Sequence, residues 1–349
     1  MRARIDPAAI VQNWRVVGGV AAGAETAAVV KADAYGHGAA LAGPALAQAG
    51  CRSFFVASPE EGAELRAALG PGPEIFVLNG CGGSPRLCAG AGLTPVLNTL
   101  ADIALWAGAG SWALHVDTGM NRLGLSLADL GEAQQLARCA PPGLVMSHLA
   151  CSDAPEHPMN ARQRAAFLHA AALFPGARRS LAATGGVALG EKYHFDLVRP
   201  GVSLYGVWET TRAPPPLTPA MTVAAPLLQV RRIEAGESIG YGAAYVAPEP
   251  QWLGVIAAGY ADGCLRNLSN RGYGAIDGVV CPIRGRVSMD LLVLDVTAAG
   301  ARAQIGAAVE LIGATVPVAA QARLGGMIAY ELLTGMGLAA ARAGARFCA

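Results

Sequence analysis

The sequence predicts an α/β fold: a (β/α)8 TIM-type barrel over residues 1–217, followed by a mainly β domain over 218–349. Three observations carry this. Short apolar runs alternate with Ala-rich, helix-compatible stretches over about the first 200 residues, as parallel βα units do. Ala213-Pro214-Pro215-Pro216 then breaks the composition in the manner of a linker. Beyond it, apolar runs are separated by Gly-rich turns until a helical stretch from about Gly326.

In the first domain, strands are expected at Ala27-Val30, Ser53-Val56, Ile75-Leu78, Ala113-Val116, Leu144-His148, Ser180-Ala182 and Gly201-Tyr205. Helices are expected between them, at Gly38-Ala49, Pro59-Ala68, Leu127-Cys139 and Asn160-Leu173. That number of units suits an eight-stranded barrel at its short end. A doubly wound sheet uses similar units. No Gly-x-Gly-x-x-Gly follows the first strand, which disfavours its dinucleotide-binding form. In the second domain, Leu227-Ile233, Trp252-Ala257, Pro282-Val287, Leu291-Val296 and Ala308-Ile312 read as strands, and Asp277-Gly278 as a hairpin turn.

Composition narrows the function. The chain is 53% hydrophobic and 15% charged, with a net charge of +1. Such a chain buries a core, and it offers no basic excess for a nucleic-acid partner. Gly, Pro or charge interrupts every apolar stretch before it reaches membrane-span length, so no membrane partner is expected. Asp6 falls where a signal peptide needs its apolar core, which points to the cytoplasm. The eight Cys include no Cys-x-x-Cys pair and suit free thiols. His157, His169 and His194 form no convincing metal set, and no metal is expected.

One count directs attention further. Lys plus Arg is 26, yet only Lys31 and Lys192 are lysines. Arg cannot supply a nucleophilic amine and Lys can, so each lysine invites inspection. Lys31 ends the buried-strand run Ala27-Ala28-Val29-Val30, where catalytic groups of a barrel sit. Apolar surroundings lower the pKa of an ammonium there and free the amine for a Schiff base. The plain alternative is a lysine snorkelling at a strand end. Lys192, in Gly190-Glu191-Lys192-Tyr193, reads as a surface residue.

Val29-Val30-Lys31-Ala32-Asp33-Ala34-Tyr35-Gly36-His37-Gly38 closely resembles the pyridoxal-phosphate attachment segment of the alanine racemase family. Five further segments resemble that family in the same order. They are Asp117-Thr118-Gly119-Met120-Asn121-Arg122-Leu123-Gly124, Arg199 to Gly206, Gly259-Tyr260-Ala261-Asp262-Gly263, Gly285 to Asp290, and Ala329-Tyr330-Glu331. The resemblance implies a pyridoxal 5'-phosphate-dependent racemase that interconverts L- and D-alanine and supplies D-alanine for peptidoglycan. It implies that Lys31 holds the cofactor and serves as one base, with Tyr260 of a partner subunit as the other, in a homodimer with shared sites.

It further implies that Arg199 faces the pyridine nitrogen. A permanently charged Arg keeps that nitrogen from protonating, which makes the ring a poorer electron sink and suppresses side reactions. By the same resemblance His148 belongs to the hydrogen-bond chain near the catalytic Tyr. Tyr35, Thr184, Gly201, Val202 and Tyr330 hold the phosphate. Arg122 and the Met289 amide hold the substrate carboxylate, and Tyr273 matches an entrance Tyr.

The chain departs from the family in places. His115 stands where many members have a carboxylated Lys that buttresses the Arg. Ala183 replaces an Asn, Ser288 a frequent Cys, and Cys264-Leu265-Arg266 an aromatic followed by Pro-Arg. The tail from Ala341 lacks the usual basic Arg-x-Pro-Arg-like ending. These changes bear on substrate preference and keep a broad-specificity or serine racemase as an alternative. Two other readings are a Schiff-base aldolase and a non-enzymatic pyridoxal-phosphate carrier. An aldolase has no need of the Tyr260 segment, and carriers resemble only the N-terminal half.

Overall fold

The apolar runs of the first half form parallel strands buried on both faces in the computed structural model, which describes residues 1–106 and 108–348. Seven neighbours pair in order: Ala28–Val29, Ser53–Val56, Glu74–Val77, Thr94–Leu97, Ala113–His115, Leu144–Met146 and Arg178–Ser180. An eighth strand, Leu197–Val198, closes the ring. It pairs with Glu25–Thr26, just before the first strand, and Arg199 N–H donates to Ala182 C=O at 2.8 Å on the other side. The expected (β/α)8 barrel is therefore present. Phe54, Phe55, Ile75 and Phe76 are buried without exposure, and Phe55 stacks on Phe76 with ring centroids 4.5 Å apart. Burial on both faces explains why most of these strands read as apolar runs; Arg178–Ser180 differs, with Arg179 exposed.

The strand ends differ in chemistry. At the N-terminal ends, Arg178 pairs with both Glu25 and Glu74, which ties three strands together. The C-terminal ends lead directly into Lys31, Asn98, His115, His148, Thr184 and Arg199. In a barrel of this type the second set is where function sits.

Two barrel strands escape the sequence pattern. Thr94–Leu97 contains Pro95, and Leu197–Val198 is only two residues long. One expected strand is not a strand: Gly201-Tyr205 holds a 3-10 turn, Val202–Tyr205. Its Leu204 N–H returns to Gly201 C=O, and the Tyr205 hydroxyl donates to Val29 C=O. Those bonds turn the chain back toward the barrel wall, so the apolar run is buried without pairing in a sheet.

The chain divides into two units. The barrel unit comprises Ala8–Ala34 and Ala39–Thr218; the other draws on Met1–Pro7, Tyr35–Gly38 and the chain from Pro219 onward. The second unit is built on one long strand, Met221–Ile233. It pairs antiparallel with Arg2–Ile5, Ala308–Ile312 and Gln251–Ile256, with register shifts that let it serve several partners. Tyr273–Ile276 and Val279–Pro282 form a hairpin whose turn residues, Asp277 and Gly278, take φ of +46° and +79°. A two-residue turn with both φ values positive matches the twist of the strands it joins. The expected strand Pro282-Val287 stops at Pro282. Beyond it, Gly285 N–H donates to the Asn270 side chain and Val287 N–H to Ser269 Oγ, leaving the sheet without those donors. The helices Val318–Gly325 and Ala329–Arg342 follow, separated by Gly326 in the left-handed region.

Asn13, in helix Pro7–Val20, fastens the end of the barrel unit. Its amide donates to Leu204 C=O at 3.0 Å and Thr218 C=O at 2.8 Å, and its carbonyl accepts Thr218 N–H at 2.8 Å. The side chain is fully buried. Asn13→Ala is expected to lower the unfolding free energy by about 2–4 kcal/mol in urea titrations, because it strands buried backbone groups. A change within about 0.5 kcal/mol would contradict that role.

Candidate active site

Lys31 begins an unusual turn. Ala32, Asp33, Ala34 and Tyr35 all take φ between +52° and +55°, and Ala34 N–H closes on Val30 C=O at 2.8 Å. A left-handed turn costs an L-residue about 1–2 kcal/mol per position, so it persists only where neighbours hold it. Glu61 accepts the Ala32 N–H at 2.8 Å, and Asp33 accepts the Ala39 N–H at 2.6 Å. Among the described residues Lys31 forms no ion pair. Burial pulls its pKa down, the Arg122 cation pulls the same way, and the Glu61 carboxylate opposes both.

Arg199 is 3% exposed. Its guanidinium donates to Ser180 Oγ and, at 2.6 Å, to Ser147 C=O, and it lies 5.9 Å over the Phe55 ring. All of these partners are neutral. Asp196, the nearby acid in sequence, pairs with Arg179 instead. Burial pulls the Arg199 pKa down to about 9, which leaves it a cation at pH 7.

Two histidines feel that charge. His115 donates Nδ1–H to Asn98 Oδ1 at 2.8 Å; the Asn98 amide nitrogen is turned away, toward Val96 C=O. This arrangement leaves Nε2 as an acceptor. Burial and the Arg199 cation hold His115 down to about 4 and His148 down to about 3. The backbone of His148 is locked by Gln163, which donates to His148 C=O and accepts from Ala150 N–H. Arg122 sits on an exposed loop organised by Asp117, whose carboxylate accepts the N–H groups of Gly119, Met120 and Asn121.

Thr184, expected as a phosphate ligand, starts a short helix and is buried. Its hydroxyl bonds to Ser203 Oγ at 2.9 Å and accepts Gly201 N–H at 3.2 Å. Gly201 N–H is thus already engaged inside the protein. Val202 follows it as the first residue of the 3-10 turn.

The second unit carries the other expected residues in two places. Tyr260 and Met289 lie on two loops zipped together by backbone bonds, Tyr260 N–H to Ser288 C=O and Ala261 N–H to Met289 C=O. A Cβ at Gly259 would stand 2.3 Å from the Met289 carbonyl, so only glycine permits this approach. Tyr260 is 45% and Met289 58% exposed. Tyr35 and Tyr330 face each other with ring centroids 5.9 Å apart, brought close where Gly36 packs on Gly337. Burial, reinforced by the Tyr330 phenol, raises the Tyr35 pKa well above its ordinary value. Tyr273 opens a strand, and its carbonyl accepts from Gln321.

The structure thus groups Lys31, Arg122, His115, His148 and Arg199 within electrostatic reach of one another, and pairs Tyr260 with Met289 and Tyr35 with Tyr330. Sequence reasoning missed Glu61, Asn98 and Ser180, which act on Lys31, His115 and Arg199. Their only sequence signal is a polar residue at or just beyond a strand or early in the following helix.

The depressed histidine values have a pH consequence. Folded His115 and His148 stay neutral where the unfolded chain, with pKa about 6.5, takes up protons. The stability this gives is complete above about pH 6.5 and is lost as pH falls through 4 toward 3. In NMR titrations of the folded protein, neither ring is expected to titrate between about pH 5.5 and 8. A midpoint near 6.5 for either would contradict the site as described.

Comparison with known proteins accords with this geometry. Residues 5–209 match the N-terminal domain model of alanine racemase, and residues 220–343 match the C-terminal domain model. The catabolic alanine racemase of Agrobacterium fabrum is 44% identical over 95% of this chain and 89% of its own length. The alanine racemase of Rhodospirillum rubrum is 44% identical over 95% and 92%. A crystal structure of the Bartonella henselae alanine racemase with covalently bound pyridoxal phosphate superimposes with a TM-score of 0.92, at 38% identity and full coverage of both chains. On these matches across both of its units, the chain belongs to the alanine racemase family.

Proposed function

We propose that this protein is an alanine racemase that uses pyridoxal 5'-phosphate held on Lys31. The observation that supports this most is Arg199: a buried cation held by neutral acceptors, within electrostatic reach of His148, which also feels the desolvated Lys31 amine. Such a set suits a cofactor that offers an amine-reactive carbonyl and an unprotonated ring nitrogen. When bound, that cofactor withdraws electrons from the substrate Cα and acidifies its proton.

The chain's own residues divide the remaining work. Lys31 holds the cofactor and, once freed as an amine, takes or returns the Cα proton on one face. Its depressed pKa favours the neutral form that this role needs. Tyr260 serves the opposite face as the second acid/base. Its exposure, shared with Met289, supports presentation to the site of a partner subunit in a homodimer. Arg199 donates toward the ring nitrogen and keeps it unprotonated. His148, neutral, belongs to the chain of hydrogen bonds between Tyr260 and Arg199.

Tyr35, Tyr330, Thr184 and Val202 hold the phosphate, with Gly201 acting through the Thr184 hydroxyl it donates to. Arg122 and the Met289 N–H hold the substrate carboxylate. Among the described residues that N–H has no internal partner. The product D-alanine serves peptidoglycan synthesis in the cytoplasm.

Mixing variants tests the shared site. Lys31→Ala and Tyr260→Phe proteins are each expected to be inactive as L-/D-alanine racemases. After dissociation and reassociation together, random dimers regain roughly a quarter of wild-type activity, since half are mixed and each mixed dimer has one intact site. Mixed dimers verified by mass that remain inactive would contradict the proposal.

A further inference from the structure

Among the described residues, Glu61 is the one carboxylate whose charge opposes the depression of the Lys31 amine, yet it forms no ion pair with that amine. It sits in the first turn of helix Pro59–Leu69, where Ser58 Oγ accepts its N–H. One carboxylate oxygen accepts Ala32 N–H and the other accepts Ala57 N–H, both at 2.8 Å. Ala32 follows Lys31 at the end of one barrel strand, and Ala57 follows Val56 at the end of the next. The carboxylate therefore staples two adjacent strand ends and secures the first residue of the left-handed turn. Both oxygens accept backbone N–H groups, which holds the anion at the turn.

We propose that Glu61 is the positioning residue of Lys31: its carboxylate clamps Ala32 and Ala57 to hold the left-handed turn, and so keeps a fixed negative charge within electrostatic reach of the amine. This deepens the proposed function and rests on it for the role of the amine. The charged and titratable groups facing Lys31 are Arg122, from the loop after strand Ala113–His115, Glu61, from its helix, and His148, from the end of strand Leu144–Met146. His148 is neutral near pH 7, so the balance at Lys31 is one cation against one anion in a desolvated place. Without Glu61 the amine titrates still lower, and the turn loses an acceptor worth two charge-assisted bonds.

The two-lysine composition makes the test direct, because Lys192 is exposed and serves as an internal control. Trace acetylation of the full-length, cofactor-free chain across pH, read by peptide mass, gives a midpoint for each lysine. In Glu61→Gln the Lys31 midpoint is expected to fall, with Lys192 unmoved. Glu61→Asp keeps the charge with a shorter reach, so Lys31 is expected to stay nearer the wild-type midpoint. An unchanged Lys31 midpoint in folded Glu61→Gln overturns the inference, since a purely structural role would lower stability alone.

If Glu61→Gln does not fold, hydrogen exchange on the wild type decides. Slow exchange at Ala32 and Ala57 is expected, and fast exchange at either amide overturns the clamp. The same wild-type sample separates this inference from the proposed function. Pyridoxal phosphate should protect Lys31 from acetylation and leave Lys192 reactive. Failure of that protection counts against the racemase reading, whereas the Glu61 comparison stands or falls without cofactor.

Discussion

The site depends on a buried positive charge that has no ion-pair partner among the described residues. Arg199 is held by a serine hydroxyl, a backbone carbonyl and the face of Phe55. Burying an ion without a counter-charge costs several kcal/mol, which a core otherwise avoids. The surroundings adapt to it. His115 and His148 stay neutral through burial and the added push of its charge, and the acid close to it in sequence, Asp196, is committed to Arg179. A cation kept this way is free to act electrostatically on whatever binds beside it.

Placement of that charge follows from the barrel. Parallel strands buried on both faces bring their C-terminal ends to one rim, and the chain puts Lys31, His115, His148 and Arg199 there. The strands are short, so side-chain staples hold their ends: Glu61 joins two, Asn98 aligns His115, and Gln163 locks the segment around His148. The second unit uses close backbone approach instead. Gly259 lets the Tyr260 loop lie against Met289, and Gly337 lets the Tyr35 segment lie against the helix of Tyr330. Precision in one unit comes from polar staples, and in the other from missing Cβ atoms.

Much of this was legible in the sequence because it depends on local pattern. Doubly buried strands read as apolar runs, the Pro cluster marked the change of architecture, and the scarcity of lysine singled out Lys31. The illegible parts depend on long-range geometry. Thr94–Leu97 was hidden by Pro95, and Gly201-Tyr205 read as a strand because burial beside the barrel wall needs the same apolar residues as burial within it. Glu61 has no sequence signal beyond its place in the first turn of a helix. Its partners, Ala32 and Ala57, are backbone groups with no side-chain signature, and only the fold brings one of them across 29 residues.

Under the proposed function, Arg199 keeps its proton and denies one to the ring nitrogen of bound pyridoxal phosphate. Nitrogen NMR of the protein loaded with ring-15N pyridoxal phosphate reads this directly. An unprotonated ring-nitrogen shift at neutral pH, moving toward the protonated value when Arg199 is replaced by Glu, is the expected result. A protonated shift in the wild-type protein would contradict the claim.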